Sequence, residues 1–155
     1  MNRLSFKLKI GLIVAVALIA VAVLTVAGTL QSRQQITEAR KEQLVTAVQA
    51  AHGLVTGYQA RAKSGAMSED DAKKAAAEAV GLSRYGGPEG KTEYFYIWTL
   101  DGVGVMHPIR TEWNGQNMVG KIKDGNGVDI IVALMDGMKN SRDGKAFVPT
   151  NFPRP

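Results

Sequence analysis

The chain holds 155 residues, enough for one modest domain and an anchor but not for two domains. It has no cysteine, which excludes disulfides and thiolate metal sites. The formal net charge is +5, but three of the cations precede an apolar stretch and no basic run with interleaved aromatics follows, which argues against nucleic-acid binding.

Residues 10 to 30, "IGLIVAVALIAVAVLTVAGTL", carry no charge over a length that crosses a bilayer as a helix, for which roughly 20 apolar residues suffice. Arg3, Lys7 and Lys9 stand before it, so the positive-inside rule predicts residues 1–9 as a cytoplasmic stub and 31–155 as an extracytoplasmic domain. A cleaved signal peptide is the rival reading, but its apolar core would be too long. A pilin-like start lacks its processing signal around Gly11.

Beyond residue 30 the pattern turns amphipathic. Leu44, Val48, Ala51, Val55, Tyr58 and Ala62 recur at alternating spacings of four and three, which predicts that the helix runs on to about Lys63. Such a helix would pass a displacement through a membrane, though a plain stalk has the same pattern. The stripe is suited to pairing two copies of the chain, or equally to covering a sheet. His52 lies beside the stripe and reads as a flank residue.

Ser68, with Asp71 three residues later, predicts a capped helix start, and alanines carry that helix to about Ser83 before Gly86, Gly87 and Pro88 stop it. Arg84 at its end would satisfy the last helical carbonyls. Residues 94 to 99 then alternate as a strand does, and Asp101-Gly102 signals a hairpin. With those two residues as the turn, Leu100 faces Val103, Trp98 faces Val105 and Tyr96 faces His107. Tyr94, Tyr96, Trp98, Val105 and His107 then share one face, and Phe95, Ile97, Thr99, Gly104 and Met106 the other. The second face suits packing on a helix. The first joins aromatic walls to two phenols and an imidazole, which is either a small-ligand pocket or a ring-filled core.

"DGNGVD" departs from a calcium loop at Val128 and lacks the closing Glu, so no metal site is expected. "VDIIVALMDGMKN" predicts an amphipathic helix with Val128, Ile131, Val132, Met135 and Met138 inward, and "GKAFVPTNFPRP" predicts the start of a further strand.

Taken together, "SRYGG", "YFYIWTLDGVGVMHP", "KDGNG" and "DGKAFV" resemble the single Cache sensor domain of bacterial methyl-accepting chemotaxis proteins, in the sub-type that binds small carboxylates. The likeness covers roughly residues 33 to 152. It implies an α+β fold in which a long N-terminal helix packs on a PAS-like antiparallel sheet. It also implies a ligand of the acetate, propionate, pyruvate or lactate class and no cofactor; the apolar span and the helical stripe add the expectation of a homodimer in the cytoplasmic membrane. By the family's motifs, with Trp98 added from the register of the hairpin, the ligand-binding residues would be Arg84, Tyr85, Tyr94, Tyr96, Trp98, His107, Lys123 and Asp124. Arg84 would hold a carboxylate in a fork, Tyr94 or Tyr96 and His107 would donate hydrogen bonds, and Trp98 would close round a short alkyl chain. Asp124 would rather orient a neighbour or cap the helix at 128, while Lys123 is open to ligand or solvent.

Receptors of this family continue with the end of the sheet, a second membrane helix, a HAMP linker and a methyl-accepting coiled coil. The resemblance therefore implies the input half of a receptor. The same input module also serves histidine kinases and diguanylate cyclases, and an anchored interaction domain with no ligand is the remaining alternative. An enzyme is not expected, because no nucleophile motif, metal cluster or phosphate loop accompanies His107 and Asp124.

Overall fold

The computed structural model describes residues 5–151. Arg3, the rest of the stub before Ser5, and the last residues of the expected closing strand lie outside them. The chain divides into two compact units, one reaching to Thr46 and one starting at Ala47.

The first unit consists of the leading part of helix α1 (Phe6–Lys63). An 18-residue window in α1 has a mean hydropathy of 3.0 and none of it is buried, so α1 is long and apolar enough to cross a membrane. Polar groups within this stretch are satisfied internally. The hydroxyls of Thr25 and Thr29 each donate to the carbonyl four residues back, at 2.8 Å. A helix in hydrocarbon needs this, because no water is there to bond them.

The second unit is α+β. It contains the end of α1, helix α2 (Glu69–Leu82), strands β1 (Arg84–Tyr85), β2 (Glu93–Tyr94), β3 (Ile97–Trp98) and β4 (Gly104–Met106), a 3-10 turn at Thr111–Trp113, and helix α3 (Ile130–Lys139). The start of α2 is capped as the sequence predicts: Ser68 Oγ accepts the Asp71 N–H at 3.1 Å and bonds the Asp71 carboxylate at 2.6 Å. Ala72, Ala76 and Val80, spaced four apart, form the buried face of α2. One core cluster joins Ala51 of α1, Val80 of α2 and Met106 of β4, with Phe95 and Ile97 packed against it. The second gathers Met118, Ile122, Ile130 and Ile131, with Trp98, Trp113, Leu134 and Met135 against it.

The strands form two antiparallel pairs, β1–β2 and β3–β4, rather than one continuous sheet. The hairpin departs from the expected two-residue turn. Thr99 N–H donates to Val103 O at 2.8 Å and Gly102 N–H donates to Thr99 O at 3.1 Å, so the turn is Leu100-Asp101-Gly102 with Gly102 at φ 84°. This is a three-residue loop whose last residue must be left-handed. Trp98 accordingly faces Gly104, not Val105, and a bulge between Ile97 and Trp98 restores the expected register at Ile97–Met106.

Two further expectations are corrected. Helix α3 begins after Asp129, whose carboxylate accepts the N–H groups of Ile131 and Val132, so neither Asp124 nor Val128 starts it. Its inward face is Ile130, Ile131, Leu134 and Met135, while Val128, Val132 and Met138 stay exposed. Residues 145–150 form no strand; instead Asn151 N–H donates to the Asp124 carboxylate and Asn151 O accepts from Gly125, at 2.9 and 2.8 Å.

Gly102 leaves no room for a side chain. A Cβ there would run into Val119 and come within 3.0 Å of Ile131 Cγ2, at a φ that L-residues avoid. Gly102→Ala is expected to cost at least about 1–2 kcal/mol from the left-handed backbone alone, measured as a lowered denaturation midpoint of the second unit.

Candidate functional site

Alternation along the strands sorts the candidate residues by face. In β1–β2, Arg84 pairs with Tyr94, and the Arg84 guanidinium lies over the Tyr94 ring, 5.4 Å from its centroid. Tyr96 and Trp98 follow at period two, and His107 comes across from the end of β4. Tyr94 lies 5.3 Å from His107 and 6.5 Å from Tyr96, Tyr96 stacks on His107 at 5.8 Å and 8°, and Tyr96 meets Trp98 edge-on at 6.2 Å. Five of the eight residues named from the sequence thus meet in one group: Arg84, Tyr94, Tyr96, Trp98 and His107. Val105, expected on the same face, is 46% exposed and stands apart from the ring group.

The other three are placed elsewhere. Tyr85 pairs with Glu93 and turns to the opposite side, where it stacks on Phe95 at 4.9 Å. The reason is the strand period: neighbours in sequence face opposite sides. Asp124 is buried, and its carboxylate accepts from the N–H groups of Asn126, Val128 and Asn151 at 2.9–3.0 Å. The Asn151 bond, followed by those from Val128 and Asn126, holds this carboxyl below its usual range against the opposing effect of burial. Asp124 orients its own loop, and the helix cap is Asp129. Lys123 is exposed, and its backbone bridges to Asp129.

His107 is 5% exposed and its environment fixes its tautomer. Nδ1 accepts the backbone N–H groups of Arg110 at 3.0 Å and Ile109 at 3.3 Å. An acceptor nitrogen carries no proton, so the neutral ring holds its proton on Nε2. Burial, and then the positive charge of Arg110, lowers the His107 pKa below its ordinary value; Arg84 adds to this and Glu112 opposes it. His107 is therefore a neutral donor through Nε2, directed away from the 109–110 turn. Tyr96 is 42% exposed and forms the rim of the face. Burial, and then the electrostatic effect of the neighbouring Tyr94 phenol, raises its phenol above the ordinary range, which keeps it protonated and able to donate.

The loop after β4 completes the group with residues the sequence did not single out. Trp113 meets His107 edge-on at 5.0 Å and Trp98 at 6.3 Å, and Arg110 lies 4.9 Å over the Trp113 ring while paired with Glu112 at 2.9 Å. Asn114 Oδ1 accepts the His107 backbone N–H at 2.8 Å. The only signal for Trp113 was its rarity, since the chain has two tryptophans. Its proximity to the face depends on a chain reversal after Pro108 that no local pattern announces.

Two measurements check this geometry. Asn114→Ala leaves the His107 N–H without its partner and is expected to destabilise the second unit by about 1–3 kcal/mol, seen in chemical denaturation. The lowered His107 pKa also sets a sign. The unfolded chain takes up this proton first, so the His107 contribution is fully present above about pH 6.5. It is lost as pH falls through the depressed folded value. Melting temperature should therefore drop between about pH 7.5 and 5.5, with a smaller drop in His107→Gln.

The sequence model of the single Cache domain 2 family matches residues 36–155. Among curated proteins, methyl-accepting chemotaxis protein McpP of Pseudomonas putida is 30% identical over 130 residues, which cover 82% of this chain and 22% of that protein's length. Among solved structures, the fold is similar to a Cache chemosensory domain that recognises carboxylic acids, with a TM-score of 0.62 and 28% identity over 70% of each chain. It is also similar to the periplasmic sensor domain of a chemotaxis protein, with a TM-score of 0.58 and 36% identity, covering 65% of this chain and 67% of that one. The chain belongs to the single Cache domain 2 family, and carries a Cache sensor domain homologous to the periplasmic sensor domains of chemotaxis receptors.

Proposed function

We propose that this chain is the ligand-sensing input region of a membrane chemoreceptor, and that the face made by Arg84, Tyr94, Tyr96, Trp98 and His107 binds a small organic acid. The observation that carries the reading is the state of His107. Its Nδ1 is fully engaged by backbone, which leaves Nε2–H as a fixed donor on an aromatic face that also holds the Arg84 cation. A carboxylate uses this combination well: guanidinium and neutral N–H donors bind the oxygens, and rings accept the alkyl part. The structural relative that recognises carboxylic acids supports a carboxylate ligand; within that class we propose acetate, propionate, pyruvate or lactate. Binding without turnover fits the site, which presents donors and no nucleophile. In this reading Tyr85, Lys123 and Asp124 support the fold around the face.

The same proposal places residues 10–30 across the cytoplasmic membrane, 1–9 inside and 31–155 outside, on the strength of Lys7 and Lys9 before the apolar span and a periplasmic relative. Leu44, Val48 and Val55 on the stripe of α1 are 42%, 57% and 37% exposed, and a second copy of the helix is the partner that would cover them. A ligand acts on such a dimer only through different affinities for two arrangements of its helices.

The test is a thermal melt of the chain in lipid nanodiscs against acetate, propionate, pyruvate and lactate at fixed pH. A ligand at 100 times its Kd adds about 2.7 kcal/mol, a rise of several degrees for a domain of this size. The rise should disappear in Arg84→Ala, which leaves the buried clusters intact. A melt unmoved by every acid would sink the proposal.

A further inference from the structure

We propose that Trp113 sets the chain length of the acid the face accepts. The inference rests on the carboxylate-binding reading and adds the residue that decides its specificity.

The face has two chemically different ends. Arg84 sits over Tyr94 at one end, and His107 offers Nε2–H in the middle. Trp98 and Trp113 stand at the other end, their ring centroids 6.3 Å apart. A carboxylate held by Arg84 and His107 therefore directs its alkyl chain toward the two indoles. Trp113 is the nearer barrier, since its ring centroid lies 5.0 Å from that of His107, edge-on. No methylene chain of any length passes between rings in contact.

The barrier is fixed rather than yielding. Both indoles pack against the Met118, Ile122, Ile130 and Ile131 cluster. The loop bearing Trp113 is laced to β4: Gly104 N–H donates to Gln116 O at 3.0 Å, and Gly115 N–H donates to Gly104 O at 2.8 Å. A Cβ at position 104 would stand 2.5 Å from Trp113 O, so this approach requires glycine there. Arg110 lies over the ring and is itself held by Glu112. A wall held by core, backbone and cation excludes by shape, and one methylene too many against a hydrophobic wall of this kind costs about 10–200-fold in affinity.

The experiment measures dissociation constants for acetate, propionate, butyrate and hexanoate by tryptophan fluorescence on the full chain in detergent micelles. Both tryptophans of the chain lie at this face, so the signal comes from the site. In the wild type, affinity should fall by about tenfold or more at the first acid too long for the wall. Trp113→Leu keeps an apolar side chain on the core and should move that break toward longer acids, with hexanoate gaining about tenfold. Trp113→Phe should lie between, and serves if the leucine variant does not melt cooperatively. A wild-type break that stays at the same acid in both variants would overturn the role of Trp113 and leave the binding face standing. Failure of every acid to bind wild type and variants alike would instead overturn the carboxylate reading, and this inference with it.

Discussion

The β3–β4 register is the constraint on which the rest depends. A three-residue turn with Gly102 left-handed sets Trp98 opposite Gly104. Carried on unchanged, that register would set Tyr96 opposite Met106 and Phe95 opposite His107, and would mix core and site residues on both faces. The bulge between Ile97 and Trp98 shifts the count by one, so that Ile97 meets Met106. From there inward the faces are sorted. Phe95, Ile97 and Met106 go to the helices, while Tyr96 and His107 stack on the other side. One inserted position thus serves the core and the site together.

The loop that follows β4 turns this sorted face into a chemically defined one. It returns over Gly104, brings Trp113 against His107, and satisfies the histidine at three points: Asn114 on its backbone N–H, and Ile109 and Arg110 on Nδ1. Each of these is a short-range consequence of the chain reversal, yet together they decide the protonation state and direction of the imidazole. Arg110 acts twice, since its backbone fixes the tautomer and its side chain covers Trp113. The donors of the face are in this sense set by the fold itself, which under the proposed function lowers the ordering cost of binding.

Farther along, the domain is held by loop chemistry instead of strand pairing. The Asp124 carboxylate gathers three backbone N–H groups, one of them from Asn151, and Asp129 caps α3 while also accepting from Gly120. Val148 and Ala146 lie close over Gly137, where a Cβ would meet Val148 Cγ2 at 2.7 Å. Buried carboxylates used this way cost little, because every lone pair that faces the protein finds a backbone donor. The motif aspartate therefore supports the cluster on which the two indoles rest.

Much of this was legible in the residues. The uncharged span, the long helix to Lys63, the Ser68 cap and the split of the aromatic strand into two faces follow from patterns whose causes are local: hydropathy, 3.6-residue and two-residue periods, and a side chain reaching its own backbone. The misreadings share one cause. Asp101-Gly102 fits a two-residue turn by itself, but Val119 and Ile131 packed on Gly102 and the ladder beyond it settle the longer one. The α3 stripe is displaced because Asp129 caps the helix and the core draws in Ile130 and Leu134. The sequence by itself determined which residues could serve as anchor, helix or site, since those properties belong to short segments. The tertiary structure decided which of them meet: Trp113 joins His107, Tyr85 turns away and Asp124 is bound to backbone. Such contacts depend on register and chain reversal, which are set by packing between segments distant in sequence.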